Sequence, residues 1–241
     1  MSALTTAIRE QLEQVSVATI TTTLFKRGLR NQLIQGVQPV CRTGGKRKLI
    51  GPAYTLRYMP AREDLNKLDV FRNREHPQRK AIEECPPGHV MVIDSRKDAR
   101  AASAGSILIT RLQERGVAGV VTDGGFRDSP DIGQLDMPAY HLHPAPPTNL
   151  THHQAIDINV PIGCGDAPVF PGDIIFGDDE GVVVIPAHLA AECAQEAVDM
   201  TAFEDFVTEQ VKAGRSVLGL YPATDPKTPE EFAAWRKANG R

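Results

Sequence analysis

Apolar and polar positions change their period several times along the 241 residues. Near the start, Ile8, Leu12 and Val15 recur at helical spacing. A second helix is predicted to begin at Ser16 as N-cap, carry Ile20 and Leu24 on one face, and stop at Gly28. Residues 29–50 are rich in loop formers. Period-two alternation then appears in residues 53–59, AYTLRYM, and Pro60 halts it. Residues 61–80, AREDLNKLDVFRNREHPQRK, are densely charged and predict an exposed excursion with little core.

The centre of the chain is more regular. Pro86-Pro87-Gly88 introduces a strand over residues 89–94, and the polar loop SRKDARAASAG leads to a helix near 106–115 that Gly116 closes. A strand over 117–122 follows, then the turn DGGFRD, then a short helix with Ser129 as N-cap and Pro130 in its first position. Together these form one βαβ unit. Further on, the stretch from Phe170 to Phe176 repeats the Pro-Gly entry into a strand, and Asp178-Asp179-Glu180-Gly181 reads as a hairpin turn before a strand over 182–185. Pro186 opens a long helix reaching about residue 213. No interdomain linker interrupts the pattern, so the expected organisation is one α/β domain over residues 1–213. Residues 214–241 form a polar C-terminal tail or arm, with Trp235 as its bulky anchor, either packed on a neighbouring subunit or frayed.

Composition narrows the classes of function. The hydrophobic fraction of 41% supports a core, yet no apolar run approaches the roughly 20 residues of a membrane span. The opening MSALTTAIREQLEQV is amphipathic and acidic, unlike a signal sequence, which makes the cytoplasm the expected compartment. With a formal charge of −3 and scattered basic residues, no nucleic-acid footprint is formed. The densest basic cluster, RTGGKRK at 42–48, reads as a solvated hairpin. Cys41, Cys85, Cys164 and Cys193 lie far apart with no CxxC spacing, as expected of reduced core thiols.

A right-handed βαβ unit brings loop 95–106 and turn 123–128 to the same sheet edge, the carboxyl ends of its strands, where open α/β sheets bind ligands. Gly105-Ser106-Ile107-Leu108 is thereby expected beside Arg127-Asp128. Free N–H groups at a helix start favour an anion, and Arg127 is suited to grip a carboxylate with two parallel hydrogen bonds. Asp128 is suited to hold a hard divalent cation such as Mg²⁺, with waters and ligand oxygens completing the shell. A 2-keto acid matches this set. Its carboxylate meets Arg127 and the helix start, its oxygens chelate the ion, and a Lewis acid so placed favours an enolate and hence cleavage or decarboxylation beside the keto group. The plainer reading of Arg127-Asp128 is a surface ion pair in which Asp128 caps the next helix. Asp123 reads as a turn residue or a second acid behind the metal. His141-Leu-His143 on a strand would share one face and suit zinc, although loop packing is preferred because no carboxylate or cysteine joins it. Lys97 admits a Schiff base, but its charged neighbours favour a solvated loop. No GxGxxG follows a strand into a helix, so a dinucleotide fingerprint is absent.

The stretch AGSILITRLQERGVAGVVTDGGFRDSPDI, with VATITTTLFKRG, IGPAYTLR, PPGHVMVID and PVFPGDIIFGDDEGVVVIP, resembles the RraA-like family over roughly residues 8–200. That family includes the regulator of ribonuclease E activity and the 4-hydroxy-4-methyl-2-oxoglutarate aldolases. The resemblance implies a swivelling ββα fold like that of phosphohistidine domains, assembled as a homotrimer or homohexamer with sites between subunits. It also implies class II chemistry with Mg²⁺ or Mn²⁺, releasing pyruvate from a small 2-keto acid or decarboxylating oxaloacetate. On the matching positions Arg127 would bind the keto-acid carboxylate, Asp128 would ligate the metal, and the N–H groups of Ile107 and Leu108, introduced by Gly105, would bind the pyruvyl oxygens. The chain departs from the aldolases at Ser106, where they carry an acid that assists proton transfer through a water. The excursion at 61–80 and the histidine loop at 141–153 are candidates to shape the pocket for another substrate, such as a keto acid derived from a sugar acid. Two other functions remain compatible: a non-catalytic regulator binding a ribonuclease, and a metal-dependent hydratase or hydrolase using the same site.

Overall fold

The computed structural model describes residues 4–41 and 48–241; apart from Lys48, the hairpin expected at 42–48 lies outside the described residues. Two helices open the chain, α1 (Thr6–Glu13) and α2 (Val17–Lys26). The Ser16 hydroxyl accepts the Thr19 N–H at 3.1 Å, as its N-cap role demands. Asp178 Oδ2 accepts the Val17 N–H at 2.8 Å, which ties this helix start to a hairpin more than 150 residues away. Ile8, Leu12, Ile20 and Leu24 are buried in one cluster with Phe176, Ile185 and Cys193.

The strands follow as β1 (Gln38–Pro39) and β2 (Leu49–Pro60), then, after helix α3 (Pro77–Glu84), β3 (Val90–Asp94) and β4 (Ala102–Ala104). Next come α4 (Ser106–Glu114), β5 (Gly119–Thr122), β6 (Gly125–Phe126), α5 (Ser129–Ile132), β7 (Ala139–His141) and β8 (His143–Pro144). The chain continues through β9 (His153–Ile158), β10 (Ile162–Cys164), β11 (Ala167–Val169), β12 (Ile174–Asp178) and β13 (Gly181–Ile185) to α6 (Ala190–Lys212) and α7 (Lys227–Ala238).

The main sheet has the order β1-β7-β5-β3-β2-β12-β13, with β9 also paired to β2. Its β2, β3, β5 and β7 run parallel, while β12 and β13 form an antiparallel hairpin around the predicted turn. Leu33 bridges Val183 and the Ile34 N–H donates to Val182 O at 2.9 Å, so the sheet curls until its ends nearly meet. This is the mixed α/β fold with flanking N- and C-terminal helices that the sequence suggested. A second sheet, β4-β6-β8, is wholly parallel. β6 and β8 follow β5 and β7 after tight turns and β4 follows β3 after the loop 95–101, so the three carboxyl ends are roofed by a small layer that carries the site.

Two local expectations are corrected. The strand predicted over 53–59 extends back to Leu49; residues 49–51 are buried on both faces, so no alternation marks them. The charged segment 61–80 is not wholly exposed. Pro77 occupies the first turn of α3, whose Gln78, Ala81 and Ile82 are buried. At the other end, residues 214–241 fold back on α6 of their own chain. Phe206, Val207 and Leu220 are buried with Phe203, Phe232 and Trp235 packed against them, and Trp235 Nε1 donates to Glu209 Oε2 at 2.7 Å. Cys85, Cys164 and Cys193 are buried free thiols. Among the described residues no helix is long and apolar enough to cross a membrane.

Candidate functional site

Two glycines let the turn after β5 enter a crowded space. A Cβ on Gly124 would lie 2.6 Å from Ser103 Oγ, and one on Gly125 would lie 2.4 Å from Ala145 Cβ. Below them, three buried hydroxyls join the ends of β3, β4 and β5: Ser95 to Ser103 at 2.7 Å, Ser103 to Thr122 at 2.7 Å, and Ser95 to Thr122 at 3.1 Å. Asp123 is buried beside them. Its carboxylate accepts the N–H groups of Ser95 (2.6 Å), Lys97 (3.0 Å) and Gly165 (3.1 Å). Burial pushes its pKa up, against the pull of the Gly165 and Ser95 N–H groups. Asp123 is therefore an internal brace for three loops.

On this floor the Arg127 N–H donates to Ala104 O at 3.1 Å, which fixes the end of β6 against the end of β4. Asp128 follows in the left-handed region at φ 57, uncommon for a residue with a Cβ. It occupies the N-cap position of α5, one residue before the expected Ser129, whose Oγ instead donates to Phe126 O at 3.0 Å. Asp128 makes no side-chain cap to that helix. Its carboxylate turns the other way, toward the start of α4, where the Ser106 N–H and Oγ lie 3.3 and 3.4 Å from Oδ2. Arg127 Nε stands 3.5 Å from the same oxygen, a loose pair on half-exposed side chains. The helix-capping alternative is thus not what the backbone builds.

Gly105 explains how closely α4 approaches. An added Cβ there would lie 2.7 Å from Arg127 Cγ and 3.0 Å from Asp128 Oδ2. The predicted juxtaposition of Gly105, Ser106, Ile107 and Leu108 with Arg127 and Asp128 is present. The donors differ in their freedom, however. The Leu108 N–H bends back to Gly105 O at 3.1 Å, whereas the Ile107 N–H has no acceptor among the described residues.

These groups line a cavity of about 210 Å³. Its other wall comes from Phe71, Gln78 and Arg79 on one side and Thr148 and Asn149 on another. Sequence reasoning placed the segments 61–80 and 141–153 here as pocket formers without identifying these residues; Pro77, a first-turn proline, was the one local signal that a helix delivers Gln78 and Arg79. A larger cavity of about 550 Å³ lies on the far side of Arg127 and Asp128 and includes His141, Pro144 and Gln134.

Among the described residues no three His, Cys, Asp or Glu side chains converge as a metal cage. The donor set fits a different arrangement, in which one carboxylate, Asp128, holds a hard divalent ion whose remaining positions are water and ligand oxygens. His141 and His143 do not share a face: His141 ends β7 in the main sheet, buried and stacked on Phe126 with ring centroids 5.7 Å apart, while His143 begins β8 in the small sheet, exposed. Lys97 Nζ is engaged by Asp166 at 2.5 and 2.6 Å and does not line the cavity beside Asp128. Asp178 serves the hairpin and the start of α2.

Comparison with known proteins places this geometry in context. The sequence model of RraA-like proteins, described as Aldolase/RraA, matches residues 16–184. A Halalkalibacterium halodurans protein provisionally named 4-hydroxy-4-methyl-2-oxoglutarate aldolase is 35% identical over 147 residues, 58% of this chain and 68% of that protein. The structure of Streptomyces coelicolor RraAS2, described as an unusual member of the RNase ES inhibitor RraA protein family, superposes with a TM-score of 0.72. It is 29% identical and covers 84% of this chain and 96% of its own. An uncharacterised Pseudomonas syringae protein shares the fold, with a TM-score of 0.75 at 21% identity, covering 90% of this chain and 98% of its own.

Proposed function

Since the chain belongs to the RraA-like family, we propose that it is a divalent-metal-dependent lyase that breaks the C3–C4 bond of a 2-keto acid, leaving the bonding electrons on C3 next to the keto group. The observation that carries this reading is the direction of the Asp128 carboxylate, turned from the helix it precedes toward the start of α4 and the cavity. The aldolase names of relatives such as the H. halodurans protein support the same class.

Arg127 binds the carboxylate of the keto acid through its guanidinium fork, and the free Ile107 N–H donates to a substrate oxygen. Asp128 is the side chain that holds Mg²⁺ or Mn²⁺. Such an ion, when bound, supplies Lewis-acid stabilisation of negative charge on the keto oxygen. Ser106 decides between two chemistries. Aldol cleavage requires a base to take the proton of the C4 hydroxyl, and a serine hydroxyl is no carboxylate. Decarboxylation of oxaloacetate has no such need: CO₂ leaves, its bonding electrons remain on C3 in conjugation with the keto group, and C3 takes a proton from water. Ser106 orients that water through its hydroxyl. We therefore assign decarboxylation of a 3-carboxylated keto acid as the easier reaction at this site. The homotrimer or homohexamer that the family resemblance implies belongs to the same proposal.

Mg²⁺ or Mn²⁺ should support pyruvate release from oxaloacetate, and Asp128→Ala should remove essentially all of the metal-dependent rate. Turnover that needs no metal, or that survives in D128A, refutes the proposal. The likeness to RraAS2 at 29% identity favours a second reading, contact with a ribonuclease. A ribonuclease inhibited equally by the parent and D128A, with no pyruvate released by either, would select it.

A further inference from the structure

The cavity lined by Asp128 also carries a second cation, Arg79, that has no part in the proposed reaction. Arg79 projects from α3, half-buried, with its guanidinium carbon 4.4 Å from the centroid of the Phe71 ring. Burial lowers its pKa, the sign of a cation short of compensation. Among the described residues no carboxylate lies within ion-pair distance of it, although Arg57, Arg96, Arg100, Arg111 and Arg115 each have one. Asp128 is the one acid among the described residues lining this cavity. The amides beside Arg79 are committed: Gln78 Nε2 donates to Tyr58 Oη at 3.1 Å and Ser103 O at 2.9 Å, and Asn149 Nδ2 donates to Ala102 O at 2.9 Å. Arg127 and Arg79 are the two cations among the described residues lining this cavity of about 210 Å³, so a small ligand anchored at Arg127 has one further positive group within the same cavity.

We infer that Arg79 is a specificity-determining residue that selects 2-keto dicarboxylates whose first carboxylate is held by Arg127, by pairing with a second carboxylate that is retained rather than lost as CO₂. This rests on the keto-acid reading above. The Phe71 ring, 4.4 Å from the guanidinium carbon, packs against Arg79 and limits its freedom, so pairing with a carboxylate costs it less entropy. A keto acid ending in a methyl group would leave Arg79 half-desolvated and unpaired, so the cavity discriminates by charge count as well as by length.

The test measures binding of two non-cleaved probes by calorimetry with Mg²⁺ present: 2-oxoglutarate, with two carboxylates, and 2-oxobutyrate, with one. The parent should prefer 2-oxoglutarate. Arg79→Gln should weaken 2-oxoglutarate roughly 10- to 100-fold, the worth of a charge-assisted pair, and change 2-oxobutyrate by less than about twofold. Arg79→Lys, which keeps the charge and loses the fork, should fall between parent and R79Q, and it carries the comparison if R79Q proves unstable. Arg127→Ala should weaken both probes. Equal effects of R79Q on the two probes, or none on either, overturn the assignment of Arg79 while leaving the keto-acid reading standing. Failure of the parent to bind either probe overturns both.

Discussion

Replacing Gly105 with alanine places a methyl group where Arg127 and α4 meet, and it separates the site from the fold. The backbone at Gly105 has φ −122 and ψ 176, ordinary extended geometry that alanine adopts without strain. The obstacle is the side chain: the new Cβ falls 2.7 Å from Arg127 Cγ, 3.0 Å from Cδ and 3.0 Å from Asp128 Oδ2. Favourable carbon contacts lie at roughly 3.5–4.0 Å, so about 1 Å of movement is required. Arg127 has little room to give it, because its own N–H is tied to Ala104 O at 3.1 Å and the clash is at Cγ, near the root of the side chain. A displacement of about 1 Å in a binding group costs on the order of 100-fold in rate. The stability cost joins the exchange of glycine for alanine at an N-cap, about 1 kcal/mol or less, to the strain of moving the half-exposed Arg127 side chain, about 1 kcal/mol. G105A should thus retain a cooperative melt within a few degrees of the parent while kcat/KM for oxaloacetate falls about 100-fold. Gly163→Ala is the control, since a Cβ there meets nothing within 4 Å, and it should be silent in both measurements. Parent-like turnover by G105A would refute the claim that this glycine sets the approach of α4 to Arg127, and a large loss of stability would refute the separation of site from fold.

Two further outcomes follow from the same geometry. Ser106→Asp restores a carboxylate 22 residues before Asp128, where the hydroxyl now lies 3.4 Å from Asp128 Oδ2. The ratio of aldol cleavage to decarboxylation, read as pyruvate from a 4-hydroxy-2-keto acid against pyruvate from oxaloacetate, should rise at least about tenfold; an unchanged ratio would show that proton transfer does not pass through this position. His141 gives a pH test. Burial, with His143 contributing, pushes its pKa down to about 4, below the ordinary value near 6.5. Between these values the unfolded chain binds the proton and the folded one resists it, so stability falls as pH drops through that window. The loss from His141 alone is about 2 kcal/mol between pH 8 and pH 5. Burial lowers His76 and His153 in the same direction, so the comparison is between urea midpoints of the parent and His141→Phe, which should lose less stability on acidification. Parallel pH profiles would refute the assignment.

What the sequence determined by itself was local and topological. Ser16, Gly28, the Pro-Gly strand entries and the period changes place most elements, because caps and breakers act within a turn of their own position. The βαβ rule also brought Gly105–Leu108 to Arg127-Asp128, since right-handed crossover leaves one arrangement for a helix between two parallel strands. The tertiary structure decided the rest. That Asp128 turns away from α5 depends on its φ of 57 and on α4 lying alongside, neither written in RDSP. The separation of His141 from His143 follows from the small sheet starting between them, where a continuous strand was the simplest extrapolation. Arg79, Phe71 and Asn149 reach the cavity only because α3 and the loop after β8 pack beside β4 and the start of α4. They come from two well-separated parts of the chain, residues 71–79 and Asn149, and their proximity accompanies the burial of Tyr58, Gln78 and Ile82. Local sequence fixes conformation because its forces act over a few residues. Which distant charge faces which is settled by packing, and the proposed selectivity of this site rests on that.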